Sequence, residues 1–86
     1  MKTKVKICGI TNLKNALEAS EIGVDALGFV FFKESPRYID PIEAGKIINL
    51  LPAFVLRVGL FVNPSKNEVL SAISDSRINM IQFHGD

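Results

Sequence analysis

Two residues with different chemistry stand out in the sequence. Cys8 is its single cysteine, followed by Gly9 in the run Lys6-Ile7-Cys8-Gly9-Ile10-Thr11. A lone cysteine commonly serves as a small hydrophobe. As a thiolate it is a base or nucleophile, and Lys6, two residues earlier on the same strand face, is the cation that favours this form. Gly9 lets the backbone turn sharply and a substrate approach closely. Arg37 lies in Ser35-Pro36-Arg37-Tyr38. A loop arginine is commonly solvated, but Pro36 stiffens this loop, and a fixed guanidinium suits a carboxylate or phosphate. Gln82 and His84 fall on one face of the last apolar run, with Asp86 beyond them, and Asn63 precedes Pro64 as either a helix cap or a ligand group. No Walker loop or GxGxxG is present, and one Cys with one His gives no metal spacing, so neither metal nor cofactor is expected.

These groups need a frame, which the periodicity supplies. Lys4 to Ile10 reads as a strand, about Asn12 to Ile22 as a helix closed by Gly23, and Ala26 to Phe32 as a second strand. A polar loop, Lys33 to Tyr38, leads to a helix with Asp40 as N-cap, Pro41 in its first turn and Glu43 in the capping-box position. Ala44, Ile47, Ile48 and Leu51 form its apolar face, and Pro52 stops it. Phe54 to Val62 is the third strand. Ser65 and Glu68, in capping-box spacing, open a third helix with Val69, Leu70, Ala72 and Ile73 as its apolar face, and Ile78 to Phe83 is the fourth strand.

The order is (βα)3β. Near-continuous apolar strands such as Leu27 to Phe32 suit a parallel sheet covered on both faces. A slice of a (βα)8 barrel and a small open doubly wound sheet both fit, and both place ligands at the C-terminal ends of the strands. Alternation puts Lys6 and Cys8 opposite Val5 and Ile7, Arg57, Gly59 and Phe61 opposite Val58, Leu60 and Val62, and Gln82 and His84 opposite Ile81 and Phe83. The polar-bearing set in each strand is expected to face the barrel axis, where Lys6 and Arg57 also read as charges paired with acidic residues of further strands.

Composition narrows the class. Ten Lys+Arg against nine Asp+Glu leave a formal charge of +1, which offers no electrostatic case for nucleic acid or an anionic membrane surface. No apolar run reaches a membrane span of ~20 residues, and the N-terminus lacks the h-region of a signal peptide, so a cytoplasmic protein is expected. A hydrophobic content of 48% is high for 86 residues and resembles the interior of a larger domain.

The sequence resembles the phosphoribosylanthranilate isomerase family in five blocks that keep their order. These are Lys6 to Thr11, Asp25 to Phe31, Ser35 to Ile39, Val58 to Asn63, and Ile81 to Asp86, with Phe83 where the family usually has Leu. The resemblance implies an α/β fold of the (βα)8 TIM-barrel class, of which residues 1–86 are the N-terminal part of a single domain, a partial barrel from the first strand to the fourth. It implies a cofactor-free Amadori rearrangement in tryptophan biosynthesis, from N-(5-phosphoribosyl)anthranilate to 1-(2-carboxyphenylamino)-1-deoxyribulose 5-phosphate. Cys8 would be the general base at C2 of the sugar and Arg37 would bind near the anthranilate carboxylate; Gln82 and His84 are expected as further substrate-binding residues from their place at the end of the fourth strand. The general acid, an Asp on a later strand, is not matched by Asp86. A (βα)8 barrel takes ~250 residues. The chain alone is therefore expected to be inactive, with a complementing C-terminal half or a second copy of itself as partner besides the small-molecule substrate. The alternative is a non-catalytic α/β binding module.

Overall fold

The computed structural model describes residues 4–84. Four strands, β1 (Lys6–Cys8), β2 (Ala26–Val30), β3 (Leu56–Val62) and β4 (Met80–His84), alternate with three helices, α1 (Leu13–Ile22), α2 (Pro41–Ile48) and α3 (Lys66–Ser76). Every pairing is parallel and the strand order is β1-β2-β3-β4. A doubly wound sheet reverses its strand order part-way. Here each crossover moves one strand further in the same direction, and right-handed crossovers then put all three helices on one face. The sheet is the wall of a partial barrel.

Each helix begins and ends where its local chemistry dictates. Asn12 caps α1 by accepting from the Asn15 N–H at 2.8 Å, and Gly23 closes it in the left-handed region at φ 98°. Asp40 accepts from the Ile42 N–H at 2.9 Å to start α2, with Pro41 in the first turn. Ser65 and Glu68 complete the capping box of α3. Asn63 is therefore not a cap. It takes the left-handed conformation at φ 44° and turns the chain out of β3.

The helix-side core gathers Leu27 and Phe29 of β2 with Ala16 and Ala19 of α1, Ala44, Ile47 and Ile48 of α2, Ala72 of α3, and Phe61 and Ile78. Leu27 and Phe29 are fully buried, each worth roughly 1.5–3 kcal/mol. The expected facing of β3 is reversed. Residues in register on parallel strands point to the same side, and Leu27 pairs with Arg57, Phe29 with Gly59, and Phe61 with Phe83. Arg57, Gly59 and Phe61 thus lie on the helix side. There Phe61 packs edge-on to Phe31 at 5.5 Å, and Gly59 leaves space taken by Ile78 and Phe31. Arg57 does not face the axis. Its Nη2 donates to the Pro52 carbonyl at 3.4 Å, behind the sheet, and its Nε is buried without a partner.

The strands are shorter than the apolar runs, ending at Cys8 and Val30 rather than at Ile10 and Phe32. The chain bends away at Gly9, whose φ is 94°. Its N–H and that of Ile10 both donate to the Gly28 carbonyl at 3.0 Å. Among the described residues, no helix is long and apolar enough to cross a membrane.

Candidate active site

The concave face, opposite the helices, carries Lys6 and Cys8 of β1, Ala26, Gly28 and Val30 of β2, Val58 and Leu60 of β3, and Met80, Gln82 and His84 of β4. Its C-terminal rim brings together the residues singled out by chemistry. Cys8 is half-buried at the end of β1, in register with Gly28. A Cβ at position 28 would stand 2.9 Å from the Cys8 Sγ and 3.2 Å from its Cα. The missing side chain on β2 is the seat of the thiol.

Arg37 comes from the loop after β2 and reaches Gly9, the residue that follows Cys8. Three hydrogen bonds shape that loop: Ser35 N–H to the Phe32 carbonyl at 3.0 Å, Tyr38 N–H to the Ser35 carbonyl at 3.1 Å, and Arg37 N–H to the Ser35 Oγ at 3.1 Å. The Ile39 N–H then returns to the Val30 carbonyl at 3.1 Å, so the loop closes on the end of its own strand. The Arg37 side chain is laid across Gly9. A Cβ there would lie 3.2 Å from Nη1 and closer still to Cδ. Gly9 therefore does two things, taking a positive φ and leaving room for the Arg37 side chain. Arg37 is exposed, and no ion pair to it occurs among the described residues.

Gln82 and His84 rise from β4 on the same face. Gln82 Nε2 and His84 Nε2 are 3.1 Å apart. Lys6 belongs to this group rather than to the thiol, because its ammonium donates to Gln82 Oε1. This contact also measures the curvature of the sheet. β1 and β4 are separated by three strand spacings, about 14 Å in a flat sheet. Side chains standing upright on a flat sheet would not meet over that distance, and here they do because the sheet curls. Periodicity alone could not reveal a contact between residues 76 apart in the chain.

A cleft of about 590 Å³ lies elsewhere. It lies between β4 and the start of α3, lined by Asn63, Pro64, Ser65, Lys66, Val69, Leu70, Phe83 and His84. Only His84 links it to the rim. Phe83, 61% exposed, and Leu70, 54% exposed, give it an apolar character suited to packing rather than to binding a polar substrate. The concave rim holds the chemistry although it is not enclosed among the described residues. Asp86 lies outside them.

Comparison with known proteins bears on this geometry. The profile of the family described as N-(5′-phosphoribosyl)anthranilate (PRA) isomerase matches residues 5–86. N-(5′-phosphoribosyl)anthranilate isomerase of Trichlorobacter lovleyi is 59% identical over 83 residues, covering 96% of this chain and 40% of that protein. The enzyme of Nitrosomonas eutropha is 51% identical over 86 residues, 100% of this chain and 41% of its own length. The chain thus spans about two fifths of the curated relatives it matches. The crystal structure of phosphoribosyl anthranilate isomerase from Thermotoga maritima superposes with a TM-score of 0.96 at 49% identity, over 99% of this chain and 42% of that one. A second structure, in complex with reduced 1-(o-carboxyphenylamino)-1-deoxyribulose 5-phosphate, gives 0.95 at 49% identity, over 99% of this chain and 44% of that one.

Proposed function

The chain belongs to the N-(5′-phosphoribosyl)anthranilate isomerase family, and we propose that it contributes the base side of an isomerase active site. In this reading residues 1–86 are the N-terminal portion of one barrel domain. The substrate is N-(5′-phosphoribosyl)anthranilate and the product is 1-(o-carboxyphenylamino)-1-deoxyribulose 5-phosphate, the compound whose reduced form occupies a relative's structure.

The observation that supports this reading is that Cys8 ends β1 on the concave face while the Arg37 side chain lies over Gly9, the next residue in the chain. The rearrangement needs a proton removed at C2 of the sugar and an anchor for the anthranilate carboxylate. Protonation of the ring oxygen, by an acid from a later strand, opens the ribose and leaves an iminium between C1 and the anthranilate nitrogen. The Cys8 thiolate then removes the C2 proton. The C2–H electron pair forms the C1–C2 double bond, and the iminium pair returns to nitrogen. The enol so formed loses its hydroxyl proton and gains one at C1, giving the ketone. Protons are only relocated, so the step requires no oxidant or reductant. Arg37 holds the carboxylate bidentately, and this fixes C2 over the thiolate. Gln82 and His84 bind the opposite side of the sugar phosphate.

The test supplies the rest of the barrel. The chain is co-expressed with the portion of the T. lovleyi enzyme that follows the matched segment, and isomerisation is assayed. Activity is expected in the complex. Cys8→Ala should lower kcat by about 10²–10⁴-fold, the usual worth of a general base, and Arg37→Met should raise KM. Wild-type rates in a Cys8→Ala complex would overturn the base assignment. A second reading, a self-associating half-barrel without catalysis, rests on the exposed Met80, Ile81 and Phe83 along the β4 edge. It predicts a discrete homo-oligomer that does not exchange with the complementing portion.

A further inference from the structure

We propose that Lys6 and Gln82 act together as positioning residues that set the tautomer of His84, leaving Nε2 as an acceptor and the ring proton on Nδ1. The inference follows from donors and acceptors. The Lys6 ammonium has three donors and no acceptor, so the Gln82 atom it touches is the carbonyl oxygen Oε1. The other end of that amide is the NH2 group, which can only donate. This end lies 3.1 Å from His84 Nε2. Two donors cannot share a hydrogen bond, so Nε2 carries the lone pair. A neutral imidazole has one proton, which is then on Nδ1.

The opposite arrangement is available to a free glutamine. Rotating the amide by a half-turn would offer Oε1 to an Nε2–H, and the heavy-atom distances alone would not distinguish the two. Lys6 removes that freedom, because the rotated amide would point its NH2 at an ammonium. A cation on β1 thereby determines which nitrogen of an imidazole on β4 is protonated, across the width of the sheet. Among the described residues, Nδ1 has no partner. Its N–H is free to donate to an acceptor oxygen of a ligand on the rim. That use of the donor rests on the isomerase reading, whereas the tautomer itself does not.

His84 is the single histidine in the sequence, so its ring nitrogens can be observed without assignment. The 86-residue chain, labelled with ¹⁵N at histidine, is examined by long-range ¹H–¹⁵N correlation at a pH where the imidazole is neutral. Free histidine favours Nε2–H. The native chain should instead show Nδ1–H in excess by about tenfold or more, given the strength of a hydrogen bond to a charged group. Gln82→Glu replaces the NH2 by a second acceptor oxygen, and the preference should invert to Nε2–H. Lys6→Met frees the amide, and the excess of Nδ1–H should collapse toward the free-histidine ratio. A native spectrum dominated by Nε2–H, or an unchanged ratio in Lys6→Met, would overturn the proposal. The native and Lys6→Met spectra decide it even if Gln82→Glu does not fold. No substrate or complementing portion is present, so an inactive complex leaves this result untouched. Conversely, an active complex containing an Nε2–H histidine would sink this proposal and leave the isomerase reading standing.

Discussion

Replacing Gly28 with alanine tests whether the missing side chain on β2 is what seats the thiol. The added Cβ would stand 2.9 Å from the Cys8 Sγ and 3.2 Å from its Cα and Cβ. Carbon atoms rest at about 3.5–4.0 Å, so the two carbon contacts are short by roughly 0.3–0.8 Å and the sulfur contact by more. The sulfur can escape by rotating about χ1. The Cα and Cβ cannot move without shifting β1, and the two residues that follow it, Gly9 and Ile10, are tied to the Gly28 carbonyl by 3.0 Å hydrogen bonds. Overpacking of this kind costs ~1–3 kcal/mol, and removing a strand glycine returns about 0.5–1 kcal/mol. A net loss of about 1–2 kcal/mol is expected, lowering the urea midpoint by about 1 M for a chain of this size. The thiol is forced out of its half-buried seat, so a small alkylating agent should modify it several-fold faster. Because Cys8 is the single cysteine in the sequence, the reaction reports on it alone. In the complemented enzyme, a thiol misplaced by ~1 Å should cost ~10² in rate. A variant with unchanged midpoint and unchanged alkylation rate would refute the steric account, because it would mean that β1 and β2 separate without cost at this point.

Two further substitutions test the frame. Gly45 lies where α2 meets the end of α3, and a Cβ there would press on the Asp75 carbonyl and stand 3.3 Å from the Ser76 Cα. These are backbone atoms that cannot rotate away, so Gly45→Ala should destabilise by ~1–2 kcal/mol in urea despite alanine's helix preference of about 1 kcal/mol. Arg77 closes α3 in the left-handed region at φ 63°, its N–H donating to the Ile73 carbonyl at 2.9 Å. Its side chain is exposed, so Arg77→Gly should relieve the conformational penalty and raise stability by about 0.5–1 kcal/mol, read as a higher urea midpoint.

The order of elements was legible because each helix announces its own start. Asn12, Asp40 with Pro41, and Ser65 with Glu68 are local signals, made by residues within three positions of one another. The placing of Cys8 and Arg37 at strand ends followed from that order, since parallel βα units gather their ligand groups there. Asn63 was open to two readings, and the structure gives it neither cap nor strand geometry but the left-handed conformation, while Ser65 takes the cap as its spacing with Glu68 indicated.

Alternation along β3 separates Arg57, Gly59 and Phe61 from Val58, Leu60 and Val62 but does not say which set faces the helices. Both sets can be buried, and the presence of an arginine argued for the wrong one. Pairing decided it, because Leu27 and Phe29 on the helix side are in register with Arg57 and Gly59, and Gly59 provides a gap that Ile78 and Phe31 fill. Lys6 read as a companion of Cys8 because the two share a strand face. The curl of the sheet brings Gln82 within its reach instead, which no local pattern encodes. The sequence by itself determined the repeat and the caps, both set by interactions within a few residues. The tertiary structure alone decided the facing of β3 and the partner of Lys6, because both depend on register and curvature across strands far apart in the chain.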